Sequence, residues 1–165
     1  MSATISHDIK MRKTANDVFY TPLQLSRFQI EKIITSSEDK WLDPFKGLGS
    51  YYNQFPTNNK DWTEITDNRD FFTYNEHVDI ICSNPPYSLI NEVFTKSVSL
   101  NPRVISYLIG QGNLTPKRIE FMNSNGYGLT FIHMCKVYQW YGFTYIVQFE
   151  KGRDNCISYD RTVWK

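Results

Sequence analysis

The stretch Val78-Asp79-Ile80-Ile81-Cys82-Ser83-Asn84-Pro85-Pro86-Tyr87 joins an apolar run to a turn that cannot extend it. The β-branched run predicts a buried strand, and two consecutive prolines, each without a ladder donor, must end it at Asn84. A residue before proline is biased towards an extended conformation, so the Asn84 amide and the turn carbonyls become fixed hydrogen-bonding groups. Such a turn can hold acceptors against a planar NH2 group, and Tyr87 offers an aromatic face on which a planar ring can stack. An ordinary strand-ending turn with a surface tyrosine would have the same letters.

Outward from this stretch, strands are expected at Asp61 to Ile65, Val78 to Ser83, Val104 to Ile109, Leu129 to Cys135 and Thr144 to Phe149, with Trp41-Leu42 ending a short first one. Helices are expected at Leu23 to Ile34, Leu89 to Leu100 and Pro116 to Asn125. Leu25, Phe28 and the Ile33/Ile34 pair mark the apolar face of the first, with Thr21-Pro22 as its cap and first-turn proline. Thr115-Pro116 repeats that start signal, and Asn125-Gly126 supplies a stop. Strands alternating with helices imply an α/β fold, a mostly parallel sheet with helices on both faces. The last two strands are too closely connected for a parallel crossover and should form a C-terminal antiparallel hairpin. In such a sheet, ligands bind at the carboxyl ends of the strands, near the switch in strand order.

Chemistry-bearing residues follow the predicted strands. Asp43-Pro44-Phe45-Lys46-Gly47-Leu48-Gly49 has two glycines one residue apart, which lets backbone approach a small ligand closely. It lacks the Gly-Lys-Ser/Thr ending of a phosphate loop, and a plain glycine turn is the bland alternative. Glu64, 21 residues beyond Asp43, is placed to accept from ribose hydroxyls. Asp70 beside Phe71 and Phe72 can accept from an amine while a ring packs on its face. Singly these are surface acids and core aromatics; their order and spacing make the joint coincidence much less frequent.

These residues carry a resemblance. The chain resembles the S-adenosylmethionine-dependent DNA adenine-N6 methyltransferases, over most of its length from about Phe19 to about Lys151. Asp43 to Gly49 resembles the DPFxGxG cofactor motif, and Asn84-Pro85-Pro86-Tyr87 matches NPPY in full. Phe19-Tyr20-Thr21-Pro22 is similar to the family's upstream segment that closes over the methionine part of the cofactor. The resemblance implies a class I, Rossmann-like methyltransferase fold with S-adenosyl-L-methionine as cofactor and no metal. It implies cofactor contacts from Tyr20, Thr21, Pro22, Asp43, Pro44, Phe45, Gly47, Gly49, Glu64, Asp70, Phe71 and Asn84. It implies catalysis by Asn84, Pro85, Pro86 and Tyr87 on a base extruded from the stack. Asn84 and the Pro85 carbonyl would accept the two amine protons, and Tyr87 would stack on the base, so that catalysis is positioning and electrostatics.

Other substrate contacts are expected around Asn113 in Ile109-Gly110-Gln111-Gly112-Asn113, against a flexible loop as the plain alternative. The hairpin tip contributes Lys136, Trp140 and Tyr141, a cation among aromatics that suits bases and phosphates, with packing under the loop as the alternative. His133 reads as structural, and His7 and His77 have no partner in sequence. The chain departs from the family in having no stretch long enough for a separate target-recognition region, and Asp70 to Val78 is too short for a full third strand and crossover helix. Specificity would then come from the hairpin tip, a homodimer or a partner subunit. Methylation of RNA or of a protein glutamine amide is a second reading, and a non-catalytic cofactor-binding subunit a third; Asp43-Pro44-Phe45 favours DNA.

The 165 residues suit one catalytic domain, with residues 1–16 as a flexible tail. With 41% hydrophobic and 16% aromatic residues the composition is globular, and no segment approaches the ~20 apolar residues of a membrane span. Met1 to Lys13 lacks an apolar signal core, and Cys82, Cys135 and Cys156 are odd in number and widely spaced. A reduced, intracellular protein is expected. Residues 1–100 carry 10 Lys+Arg against 13 Asp+Glu, and residues 101–165 carry 8 against 4, giving -3 and +4. The second half is therefore the better candidate for nucleic-acid phosphates, unless these are scattered solvated charges.

Overall fold

The computed structural model describes residues 20–138 and 140–164. The tail expected at residues 1–16, together with His7 and Phe19, lies outside the described residues. Along the chain run α1 (Leu23–Glu31), β1 (Trp41–Asp43), β2 (Lys60–Trp62), β3 (Ile80–Ser83), α2 (Ile90–Ser99), β4 (Val104–Gly110), α3 (Pro116–Ser124), β5 (Tyr127–Cys135) and β6 (Thr144–Lys151). The six strands form one sheet in the order β2-β1-β3-β4-β6-β5. Pairs from β2 to β4 are parallel, whereas β6 runs antiparallel to both β4 and β5. The expected α/β sheet and its C-terminal hairpin are both present.

Alternation along the parallel strands sends side chains to two cores. Leu42, Ile81, Ile105 and Tyr107 face α2 and α3, where Val93, Phe94, Ile119 and Met122 pack; Phe94 meets Tyr107 and Phe149 edge-on at 5.8 and 5.7 Å. Trp41, Ile80, Cys82 and Val104 face Ile30 of α1 and Ile33 just beyond it, closed by Tyr51 and Phe55. Helices therefore cover both faces of the sheet.

Two expectations need correction. The helix expected to Ile34 ends at Glu31, and its buried face is Ser26, Gln29 and Ile30, while Leu23 and Ile34 are exposed. Its N-cap is Pro22, not Thr21. The strand expected at Asp61 to Ile65 stops at Trp62. The chain then reverses through a short 3-10 turn, Ile65–Asp67, with Asn68 left-handed at φ 58° and Glu64 bridged to Arg69. No third strand forms between β2 and β3; a second 3-10 turn, Phe71–Thr73, and the buried Phe71, Tyr74 and Val78 carry the chain across. At the opposite, amino end of the sheet, Arg103 grips Asp39 through Nε (3.0 Å) and Nη2. His77 also has a partner there, Asp79 Oδ1 at 3.0 Å, remote in the sheet from the carboxyl-end residues.

Candidate active site

The sheet changes direction between β1 and β3, since the chain lays β2 on one side of β1 and returns to lay β3 on the other. Asp43 ends β1 and Ser83 ends β3, and they meet across this point: the Ser83 hydroxyl donates to Asp43 Oδ1 at 2.6 Å. Asp43 is fully buried and also accepts from the Phe45 and Tyr52 amides, at 3.3 and 3.1 Å. Burial pushes its carboxyl up to about 7, with the charge of Glu64 adding to it, while the three donors pull the other way. Asp43 thus organises the glycine loop from inside. The loop follows as a tight turn: Gly49 N donates to Lys46 O at 2.7 Å, and a Cβ on Gly49, at φ +87°, would strike the Asn53 side chain at 2.5 Å. Buried Pro44 is pinned by the Thr63 hydroxyl at 2.6 Å.

Beside this loop the cofactor candidates converge. Glu64 Oε2 accepts from Gly47 N at 2.8 Å, so the acid expected to meet a ribose lies against the glycine loop. The Tyr20 ring lies over Gly47, about 3.9 Å from where a Cβ would stand. Phe45 meets the buried Phe71 edge-on at 5.3 Å, and Asp70 Oδ1 accepts from Phe72 N at 2.9 Å. The upstream segment reaches the proline turn directly, because Asn84 Nδ2 donates to Thr21 Oγ1 at 3.2 Å. Pro22 caps α1, its carbonyl accepting from Leu25 and Ser26.

Pro85 is buried, and Pro86 caps the 3-10 turn Tyr87–Leu89 that leads into α2. The half-buried Tyr87 ring rests against Gly110 at the end of β4: a Cβ there would stand 3.2 Å from the ring and 3.3 Å from Asn113 Nδ2. Asn113 belongs to the 3-10 turn Gln111–Asn113, and its carbonyl accepts from Arg118 Nη1 at 2.8 Å. Gln111 bonds Phe143 in both directions, N to O at 2.9 Å and Oε1 from N at 3.2 Å, and so ties the hairpin loop to the site. Tyr138, Tyr141, Phe143 and Met134 stand exposed on that hairpin, while Trp140 is half-buried. Lys136 is exposed and spans the loop, its ammonium donating to the Trp140 and Gly142 carbonyls. His133 packs between Phe28 (4.7 Å) and Phe131 (6.4 Å), a structural role as expected.

Other residues at the site were not legible. Gln29 and Ser26 sit on the buried face of α1, where a polar residue at helical spacing looks solvent-facing. Lys46 and Arg69 sandwich Trp62 at 3.8 and 4.1 Å, a stack visible only once β2 meets the glycine loop. Cations of the second half meet both charged and neutral partners. Arg103 pairs with Asp39, Arg161 with Glu120, Lys151 with Asn101, Arg118 with Asn91 and Asn113, and Lys136 with the hairpin carbonyls.

No family model and no curated protein sequence matches the chain. Solved structures match its fold. Magnesium protoporphyrin IX methyltransferase from Synechocystis PCC 6803, with bound SAM, superposes at TM-score 0.58 and 9% identity over 78% of this chain and 79% of that one. Precorrin-6y C5,15-methyltransferase from Geobacter metallireducens GS-15 gives TM-score 0.58 at 12% identity over 80% and 90% of the two chains. A protein assigned as a modification subunit of a type I restriction enzyme from Vibrio vulnificus YJ016 gives TM-score 0.58 at 15% identity, covering 92% of this chain but 49% of its own. The chain has the class I methyltransferase fold.

Proposed function

We propose that this protein transfers a methyl group from S-adenosylmethionine to the N6 amine of adenine in DNA. The observation that carries the proposal is the Asn84-Pro85-Pro86-Tyr87 turn at the carboxyl end of β3, joined through Ser83 and Asp43 to the glycine loop. The residues present fit the cofactor. Glu64 is an acceptor suited to a ribose diol, Asp70 to an adenine amine, and the carboxylates along this edge complement a sulfonium cation. The glycine loop offers backbone at close range, and Tyr20 lies over it. The cofactor, when bound, supplies an electrophilic methyl group.

The adenine amine is a poor nucleophile, because its lone pair is conjugated into the ring. Asn84 Oδ1 and the Pro85 carbonyl accept its two protons and hold the nitrogen lone pair out of the ring plane. Tyr87 stacks on the extruded base, its ring braced by Gly110. The amine nitrogen gains a methyl group and loses one proton to solvent, so no side chain need act as a strong base. Exposed Tyr138, Tyr141 and Phe143, tied to the site through Gln111, are placed to stack on neighbouring bases. That the Vibrio vulnificus protein is assigned to a restriction enzyme agrees with a DNA substrate. A second copy or a partner subunit would contribute to target recognition.

Asn84→Ala tests the proposal: methyl transfer should fall at least a hundredfold while S-adenosylmethionine binding changes less than threefold. Equal loss of both would remove Asn84 from its assigned role.

A further inference from the structure

Among the described residues two arginines are half-buried, Arg103 and Arg118. Arg103 has its acid in Asp39. Arg118 pairs with no carboxylate among the described residues, and Glu120, two residues on, is held by Arg161. Its hydrogen bonds go to neutral groups: Nε donates to Asn91 Oδ1 at 2.9 Å, and Nη1 to Asn113 O at 2.8 Å and Asn113 Oδ1 at 3.4 Å. Both protons of Nη2 remain for another acceptor. Burial with no acid to offset it draws the Arg118 guanidinium below its ordinary value, whereas the hydrogen bond to Asp39 raises that of Arg103. Arg118 stays charged all the same. Withdrawing a cation from water without a counter-charge is costly, and the two tethers ask only for N–H donors. The location of the charge specifies its counter-ion. Asn91 stands on the first turn of α2, four residues after Tyr87, and Asn113 borders the gap at Gly110 against which the Tyr87 ring rests. Arg118 therefore bridges the two segments that hold this ring. The surface beside it is open: Gln111, Gly112 and Lys117 are exposed, and nothing stands within 4 Å of a Cβ at Gly112. A nucleotide whose base stacks on Tyr87 carries a phosphate one sugar away, and a planar guanidinium with paired N–H donors suits that anion.

We infer that Arg118 is a substrate-binding residue: tethered by Asn91 and Asn113, it gives its remaining N–H groups to a backbone phosphate of the DNA strand beside the base on Tyr87. The inference rests on the reading of this site as one that takes a DNA base. One ion contact, set at a fixed distance from the stacking ring, holds the strand so that the extruded base meets the proline turn.

The test reads binding, which needs no activity. A single-stranded DNA oligonucleotide with one adenine is titrated against the full chain as wild type, Arg118→Gln and Arg118→Lys over a range of salt concentrations. Loss of one phosphate contact should make the slope of log K against log salt shallower by about 0.7 in Arg118→Gln, and Arg118→Lys should restore it. A purely structural role in tethering the turn would not move that slope. In a second series each linkage beside the adenine is replaced by an uncharged methylphosphonate. One replacement should weaken wild-type binding at least fivefold and Arg118→Gln less than twofold, with S-adenosylmethionine binding within threefold throughout. A slope unchanged in Arg118→Gln, or no linkage whose effect depends on Arg118, overturns the inference. Labelled methyl transfer to the same oligonucleotide is measured alongside. Transfer with an Arg118-independent slope sinks the phosphate contact alone; an Arg118-dependent slope without transfer sinks the methyl-transfer reading and leaves the contact standing. A wild type that binds no DNA overturns both. Should Arg118→Gln not fold, the same two comparisons in Arg118→Met decide.

Discussion

Asp43 sits under the glycine loop with no exposed surface and three donors pointing at it. Its folded pKa, about 7, exceeds the ordinary carboxyl value near 4, so between those pH values the folded protein holds a proton that the unfolded chain has released. Its stabilising contribution is complete below about pH 4 and is lost as pH rises through 7. Asp43→Asn should therefore flatten the fall in Tm between pH 5 and 8 by roughly 5 °C, since about 1 kcal/mol moves the midpoint of a domain this size by 2–4 °C. Parallel profiles for the two proteins, recorded by calorimetry, would contradict this. At Gly110, an added Cβ at 3.2 Å must displace the Tyr87 ring by a few tenths of an ångström. Gly110→Ala should lower kcat/KM for DNA about tenfold with a Tm within a few degrees of wild type. At this scale the proline turn and the glycine loop were legible, because Pro and Gly constrain backbone whatever surrounds them. The bond from Ser83 to Asp43 was not, since it needs two strands side by side.

Elements were read well where one face is mostly apolar. Helix α2 buries Ile90, Val93 and Phe94, and helix α3 carries its Thr115 cap and Pro116 as expected. Helix α1 misled because its buried face includes Ser26 and Gln29, whose partners Ser50 and Ser106 are distant in sequence. The third strand is missing for a local reason: Glu64 and Asp70 both turn the backbone by accepting from amides two residues on. The loop after α1 is fastened by Asp39, which Arg103 and the Ser36 amide hold well below the usual carboxylate range. That contribution is present above about pH 4 and lost below it, opposite in sign to Asp43. Asp39→Ala should cost about 2–3 kcal/mol in chemical denaturation at pH 7, and a loss under 0.5 kcal/mol would show the pair to be idle. On the hairpin, Tyr138→Ala with Tyr141→Ala should raise KM for DNA at least fivefold and leave cofactor binding unchanged, as removal of stacking surface requires. An unaltered KM would remove the tip from the substrate interface.

Over the whole molecule, the sheet gathers residues from 20 to 113 at one edge, although they are spread through most of the sequence. Order along the chain was enough to place them there, because parallel strands end at the same edge. Charge was a poorer guide: among the described residues of the second half, Arg103 and Arg161 meet carboxylates, while Arg118, Lys136 and Lys151 donate to neutral groups and keep their charge. No helix among the described residues is long and apolar enough to cross a membrane. The decisive measurement is transfer of labelled methyl from S-adenosylmethionine to DNA, RNA and protein offered together, with mass spectrometry of the modified unit. The account predicts N6-methyladenine in the DNA, abolished by Asn84→Ala; label confined to RNA or protein, or surviving in Asn84→Ala, would contradict it.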